Sequence, residues 1–264
     1  MHTEFTLLID ILIPALNEEE ALPHVLKPLS HLAQSSPLPK SQMTIRQILV
    51  VNNGSVDQTA QVAHSFGAVV INEPRRGYGF ACLAGIEAIK TDPPDIVLFV
   101  DADGSDDIND LEQLLMVFNH SVDDLFSDPR NRLAVTTSTP VSLVIGSRPH
   151  LAAEDALTPL QRFGNALSCF LLKLIFKAQF TDLGPLRAIR WSTLVALNMA
   201  DQTYGWTVEM QAKACALGFT CAERDVYYYP RKAGRSKISG TLKGSFLAGC
   251  KIIWLIAKAW SKRL

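Results

Sequence analysis

Residues 95–107 read DIVLFVDADGSDD: an apolar run, Ile96 to Val100, that ends in two carboxylates one residue apart, Asp101 and Asp103. A short apolar run bounded by polar residues reads as a strand covered on both faces, as in a parallel sheet sandwiched between helices. Working outward, the same pattern of strand followed by polar crest recurs. Strands are expected near 7–16, 46–53, 68–73, 95–101 and 142–148, with helical periodicity at 18–33, 57–66, 79–90 and 108–118. That alternation predicts an α/β fold of Rossmann-like type, a mostly parallel central sheet flanked by helices. Such sheets bind ligands beyond the carboxyl ends of their strands. Polar residues stand at those ends: Pro14 to Glu18, Asn52 to Asp57, Asp101 to Asp106, and Gly146 to Arg148.

Past residue 150 the pattern changes to a helix near 159–177, another near 206–216, a strand near 219–229 and a basic tail. Gln34 to Thr44 and His120 to Pro140 read as surface insertions, not domain boundaries. With 264 residues, 48 % hydrophobic and 19 % charged, the chain can bury one sizeable core, which excludes a disordered or fibrous protein. The cysteines show no CxxC pair and no neighbouring His at metal spacing, so neither a zinc site nor a disulfide framework is expected, and a reducing cytoplasm fits. No basic segment precedes the first apolar run, so no signal peptide is expected. The histidines share no spacing and are assigned no role.

The acids after Val100 suit a hard divalent cation. Mg²⁺ or Mn²⁺ takes a few carboxylate oxygens and leaves positions open for phosphate and water, so Asp101 and Asp103 are candidates to bridge a metal to a diphosphate. Paired acids at a strand end also serve as helix caps, a role open to Asp106 or Asp107. IPALNEEEAL and ILVVNNGSVDQT end the first two strands, where Asn17 with Glu20 and Ser55 with Gln58 have the form of capping boxes. In NEPRRGYGFACLAGI, Gly77 and Gly79 would let backbone approach a phosphate at a helix N-terminus, with Arg75 and Arg76 as partners for its oxygens.

In their order along residues 11 to 240, the pieces IPALNEEE, VVNNGSVDQT, RRGYGFACLAGI, VDADGS, VIGSR, TDLGPLRAI, YGWTVEMQAKACALGF and PRKAGRSKISG resemble glycosyltransferase family 2. The resemblance is to its dolichol-phosphate mannosyltransferase-like and polyprenyl-phosphate glucosyltransferase branch. It implies a nucleotide-sugar-binding fold of GT-A type, residues 1–240 forming the catalytic domain, 1–118 mainly for the nucleotide and 141–240 mainly for the acceptor. It implies that Pro14, Leu16 and Glu18 line the nucleotide pocket, with Asn53 and Gly54 near the base and Arg76 and Gly77 near the diphosphate. Asp101 and Asp103 match the metal pair, and Gly146, Ser147 and Arg148 the motif that orients an acceptor phosphate. Arg231 and Lys237 match basic residues of a loop that closes over the phosphates, with Gly234 and Ser236 giving it freedom.

The implied activity is inverting transfer of a hexose from a UDP- or GDP-sugar, with Mg²⁺ or Mn²⁺, to a polyprenyl phosphate or another membrane-associated acceptor. Negative charge collecting on the departing diphosphate calls for metal and Arg or Lys donors. An acceptor phosphate needs no strong base. A hydroxyl acceptor does, and Glu209 is the candidate, unless it only complements the dipole of its helix. The chain departs from the family pattern at Asn52 and Asn53, where many members carry an Asp pair, and at Ser105, where many carry a Gln metal ligand. Alternatives are transfer to a small soluble acceptor, a sugar-phosphate nucleotidyltransferase, or a nucleotide-binding module that has lost catalysis. The acidic, glycine-free PALNEEE disfavours the nucleotidyltransferase.

All acids lie at or before Asp225, so the net charge of −1 divides into −10 up to that residue, 16 basic against 26 acidic, and +9 beyond it. In 241–264 the lysines Lys243, Lys251, Lys258 and Lys262 fall on one side of a helix, and Phe246, Leu247, Ile252, Ile253, Trp254 and Trp260 on the rest. No run there approaches the ~20 apolar residues of a membrane span. A basic amphipathic helix fits either a peripheral position at the cytoplasmic face of a membrane or packing on the core or a second subunit. Helix 159–177 could join the same surface, although core packing suits most of it. Interleaved Ile, Leu and Trp suit lipid better than nucleic acid, so nucleic-acid binding is not expected.

Overall fold

The computed structural model describes residues 6–35, 37–120, 124–137, 139–234 and 242–261, the side chains of 126 and 242–250 excepted. Strand β1 (Leu8–Ala15) sits mid-sheet because both of its faces are apolar. Ile9, Ile11 and Ile13 enter one core and Leu12 the other, all fully buried. β1 pairs in parallel with β2 (Thr44–Asn52) on one side and β4 (Ile96–Phe99) on the other, and β3 (Val69–Asn72) extends the sheet beyond β2. The remaining described strands are β5 (Asn131–Val135), β6 (Leu143–Ser147), β7 (Arg187–Arg190) and β8 (Cys221–Asp225). The order is β3-β2-β1-β4-β7-β6-β8-β5, with β7 antiparallel to both neighbours, β6 parallel to β8, and β5 antiparallel to β8.

Helices cover both faces. On one, α1 (Leu22–Gln34), α2 (Thr59–Ser65) and α4 (Asp110–Met116) bury residues such as Leu26, Ala63 and Leu114. On the other, α3 (Tyr78–Ala88), α5 (Pro159–Phe176), α6 (Trp191–Leu197), α7 (Trp206–Ala216) and α8 (Leu242–Ser261) contribute Cys82, Leu172, Leu194, Trp206 and Ile256. The chain runs outward from β1 through β2 to β3, then returns to β4 on the opposite side of β1. The carboxyl ends of β1 and β4 therefore flank a topological switch point, where α/β sheets open a crevice.

The expected strands and helices of the first 150 residues form, with α1 starting at Leu22 instead of residue 18. Pro23 fits that start, since a first-turn proline has no hydrogen bond to lose. The supposed insertion 120–140 contains β5, an edge strand whose NRLAV sequence has too weak an alternation to announce itself. β7 and α6 follow one another directly and escaped the sequence reading. β7 is four residues long with two arginines, and pairing on both sides makes it a strand.

Candidate active site

β4 delivers Asp101 and Asp103 to the switch point. The Tyr78 hydroxyl donates to Asp101 Oδ1 (3.2 Å), and Ser105 N donates to Asp103 Oδ1 (2.9 Å), turning the chain sharply at Gly104 (φ 74°). Burial, and next the charge of Asp103, push the Asp101 carboxyl up to about 7. Asp106 is raised well above the usual carboxylate range by burial and by both acids, and its Oδ1 is buried with no hydrogen-bond partner among the described residues. Asp106 Oδ2 accepts from Asp101 N (3.3 Å) instead of capping α4, whereas Asp107 Oδ1 accepts from Asn109 N (2.9 Å) in the turn before α4.

Arg231 comes from beyond β8 and closes the crevice. Its Nη2 lies 2.9 Å from Asp103 Oδ2 and its Nη1 3.2 Å from Glu18 Oε1, so the guanidinium joins the crests of β4 and β1. Lys232 N donates to Asp103 O (3.0 Å), fixing the approach of this segment. Gly234, in left-handed conformation (φ 73°), lines a narrow cleft with Asn17, Glu18 and Asp57. Lys237 and Ser236 lie outside the described residues.

The two supposed capping boxes do not form. α1 is preceded by Ala21 and α2 by Gln58, neither with a side-chain cap. Instead Ser55 Oγ accepts from Asn17 N (3.0 Å), and Asn17 Oδ1 accepts from Val56 N (2.9 Å), lacing the crest of β1 to that of β2. Asn17 adopts φ 51°, which its short amide tolerates. Asn53 is buried and donates to Glu73 O (3.2 Å) and Arg75 O (2.6 Å), while its Oδ1 accepts from Gly77 N (2.8 Å). Its amide thus clasps the segment after β3, which a carboxylate, lacking donors, cannot do. A Cβ on Gly54 would stand 3.2 Å from Pro74 O, and Arg76 Nη2 donates to Gly54 O (3.4 Å). Arg75 is held by Glu73 (2.7 Å), whereas Arg76 is exposed.

The close approach that Gly77 and Gly79 allow is taken up by the chain itself. A Cβ on Gly77 would lie 2.3 Å from Gln202 O, and one on Gly79 2.0 Å from Asp201 O. Gly79 N and Phe80 N donate to Thr203 O (3.1 Å) and Gln202 O (3.0 Å). These glycines admit a protein loop, and two amides at the start of α3 that would have faced a phosphate face carbonyls.

On the other side of β4, the GSR crest of β6 is gripped by Asp182. Its carboxylate accepts from Arg148 N (2.9 Å), Nε (2.7 Å) and Nη2 (2.9 Å), and the Arg148 guanidinium lies 5.0 Å above the Tyr228 ring. Burial works against the charge of Arg148, but Asp182 overrides it and holds the group above its ordinary value. The crossing needs Gly184, whose Cβ would meet Gly146 O at 2.1 Å. Ser147 and Thr181 share a hydroxyl contact (2.8 Å), and Glu223 accepts from Thr181 N (2.9 Å) and Asp182 N (3.1 Å).

Glu209 is spent on structure. It accepts from Ala200 N (3.1 Å) and Asp201 N (2.7 Å) and pairs with Lys213 (2.8 Å), so it ties the 198–205 loop to α7. Pro14 and Leu16 are half-buried at the β1 crest. The structure therefore gathers Glu18, Asp103 and Arg231 with Asp101, and sets Arg148 apart in its own buried pair. Asp182, Tyr78 and Tyr228 carry positions that the sequence reading did not assign. Asp182 stands in TDLGPLRAI, one of the pieces that carry the family resemblance, and that match was the available signal.

Among the described residues, no trio of His, Cys, Asp or Glu side chains is preassembled as a metal cage. The donor set nevertheless fits a hard cation. Asp101 is pressed toward its neutral form by burial and by Asp103, Asp106 by burial and by both of those acids, and Asp106 Oδ1 has no donor among the described residues, a shortage of positive charge that Mg²⁺ or Mn²⁺ would relieve.

A nucleotide-sugar-type crevice between β1 and β4, with acids at the tip of β4, defines a GT-A-like α/β fold. Residues 10–173 match the model of glycosyl transferase family 2. An uncharacterized glycosyltransferase of Mycobacterium tuberculosis is 34 % identical over 240 residues, 91 % of this chain and 94 % of the relative. The undecaprenyl-phosphate mannosyltransferase of Micrococcus luteus is 28 % identical over 260 residues, 94 % of each chain. Glucosyl-3-phosphoglycerate synthase from M. tuberculosis, solved with Mn²⁺, UDP and glucosyl-3-phosphoglycerate, superposes with a TM-score of 0.64 at 20 % identity, covering 97 % of this chain and 80 % of that one. The chain belongs to glycosyl transferase family 2.

Proposed function

We propose that this glycosyltransferase moves a hexose, with inversion, from a UDP- or GDP-sugar to a polyprenyl phosphate, using Mg²⁺ or Mn²⁺ held by Asp101 and Asp103. The observation that carries the reading is the junction of Asp103, Glu18 and Arg231 at the switch point, next to the charge-starved Asp101. Residues 1–118 form the donor side, where Pro14, Leu16 and Glu18 line the pocket, Asn53 and Gly54 shape the base end, and Arg76, beside Gly77, reaches the diphosphate. Residues 141–240 form the acceptor side.

In the reaction an acceptor phosphate oxygen forms a bond to the anomeric carbon as the bond from that carbon to the diphosphate breaks. The electron pair leaves on the nucleoside diphosphate. The metal, when bound, supplies Lewis-acid stabilisation of that leaving group. Arg231, released from Asp103 and Glu18, adds a second cation to the same oxygens, and Lys237 is assigned to join it. Arg148, held rigid by Asp182, orients the acceptor phosphate through its exposed edge and its field.

A phosphate with its second pKa near ~6 is already a nucleophile at neutral pH. The full engagement of Glu209 supports an acceptor that needs no base. The similarity to the undecaprenyl-phosphate mannosyltransferase supports the same choice. A second reading, transfer to a small phosphorylated acceptor, is favoured by the fold shared with glucosyl-3-phosphoglycerate synthase.

Titration calorimetry of UDP and GDP, each with Mn²⁺ and with EDTA, tests the donor half. Metal-dependent binding of one nucleotide is expected, and binding of neither would leave a module without catalysis. Transfer from the matching radiolabelled sugar nucleotide to undecaprenyl phosphate or to 3-phosphoglycerate then decides the acceptor.

A further inference from the structure

We propose that α5 and the C-terminal half of α8 form one docking surface for an anionic lipid bilayer, which deepens the polyprenyl-phosphate reading and rests on it. α8 does pack, as its alternative required: Leu255, Ile256 and Ala259 are buried against the core that includes α5 and α7. Lys251 is likewise no free surface charge. It pairs with Asp201 (2.5 Å) and lies 4.9 Å over the Tyr204 ring. Packing leaves the opposite side of α8 uncovered, with Ile253, Trp254 (55 % exposed) and Trp260 in solvent.

The neighbouring α5 shows the same division. Ser168, Leu172 and Phe176 face inward, while Leu160, Phe163 (66 %), Phe170 (59 %) and Leu174 (67 %) are exposed at helical spacing along one side. Lone exposed apolar residues are ordinary, but exposed Phe, Leu and Trp gathered on two helices that pack against each other mark an interaction surface.

Charge identifies the occupant. Neither helix contains an acidic residue, whereas Lys173, Lys177 and Lys258 are exposed, and Lys258 lies 4.6 Å over the Trp254 ring. Rings able to enter the acyl boundary beside lysines at headgroup level meet the requirements of an anionic membrane interface. No helix among the described residues is long and apolar enough to cross a membrane, so the contact is peripheral to the bilayer.

Both helices touch segments that hold the site. Asn165 on α5 accepts from Leu183 N (2.7 Å) and donates to Thr181 O (3.0 Å), flanking the Asp182 that grips Arg148. Lys251 on α8 holds Asp201, whose loop seats Gly77 and Gly79. A lipid phosphate emerging from the bilayer at this surface arrives beside the acceptor-side arginine.

The test uses the full chain and vesicles of phosphatidylcholine with or without phosphatidylglycerol, read by co-sedimentation and by quenching of tryptophan fluorescence with brominated lipid. The native chain should bind the anionic vesicles and be quenched. Combined Phe163→Ser, Phe170→Ser and Leu174→Ser should lower the partition coefficient by at least about tenfold, as expected for loss of several buried apolar groups. Combined Lys173→Glu, Lys177→Glu and Lys258→Glu should abolish the preference for anionic vesicles. All these positions are exposed, so an unchanged melting temperature verifies folding.

Absence of vesicle binding, or variants that bind like the native chain, would overturn the proposal. So would a dimer that the Ser variant dissociates without any lipid partition, which would assign the face to a second copy. Vesicle binding without transfer to undecaprenyl phosphate would defeat the acceptor reading and leave the surface standing. Transfer to detergent-dispersed undecaprenyl phosphate without vesicle binding would do the reverse.

Discussion

Arg231 and Asp103, 128 residues apart in sequence, are joined by a 2.9 Å ion pair across the crevice between β1 and β4. The pair is partly exposed and so contributes little to stability, and Arg231 is shared with Glu18. Such a contact can be surrendered when a diphosphate and its metal arrive. Arg231→Ala should therefore change the unfolding free energy by no more than about 1 kcal/mol. Turnover should fall by roughly 100- to 1,000-fold, the scale for losing one charge-stabilising donor. Denaturant melts and steady-state transfer assays check the two halves.

Asp103→Asn removes one charge of the proposed metal pair but can keep the turn to Ser105 N through its amide oxygen. Metal-dependent nucleotide binding should disappear while the far-ultraviolet circular dichroism is unchanged. Calorimetry with Mn²⁺ that shows native affinity in the variant would remove Asp103 from the metal site.

Asp182 is fully buried and is the charge partner of Arg148, whose side chain keeps 14 % of its surface exposed. Asp182→Ala leaves that guanidinium uncompensated and should cost about 3–5 kcal/mol. Asp182→Asn, which keeps one acceptor, should cost less and should impair acceptor use more than nucleotide affinity. Comparing urea melts with KM values for donor and acceptor separates positioning from simple loss of fold.

Gly79→Ala would place a methyl group 2.0 Å from Asp201 O. The obstacle is backbone, so the 201–203 loop must move, at a cost of about 1–3 kcal/mol or more. Gly67→Ala, which meets nothing within 4 Å but has φ 78°, separates backbone strain from steric displacement. Faster hydrogen exchange at Gly79 and Phe80, whose amides bond to that loop, is expected only for Gly79→Ala.

Glu223 gives a pH signature. Burial pushes its carboxyl from 4.5 to about 7, against hydrogen bonds from Thr181 and Asp182. Between these values the unfolded chain has lost the proton and the native chain retains it. The native state therefore loses stability as pH rises through this window, by about 3 kcal/mol from this group once pH exceeds 7. Unfolding free energies of the native chain and Glu223→Gln, measured from pH 5 to about 8, should differ by an amount that shifts in this direction. A constant difference would show that Glu223 does not titrate there.

Local pattern determined much of this protein. Apolar runs placed β1, β2, β4 and β6, because strands buried on both faces admit few polar residues, and the acids after Val100 stood out because such a strand delivers them to a crevice. Helix α7 was legible at its true bounds, Trp206 to Ala216. The family motifs then singled out Asp101, Asp103 and Arg231 as candidates. Tertiary structure decided what local pattern could not. β7 is a strand because β4 and β6 hold it from both sides, and Asn17 and Ser55 bind each other across two loops where sequence spacing suggested separate caps. The glycines of RRGYG show the same limit: their missing Cβ atoms make room, and only the fold determines that the occupant is the 201–203 loop. Arg148 and Asp182, and likewise Glu209 and Lys213, acquired their roles from burial, since a charged group removed from water must find its partner in whatever the folded chain brings within reach.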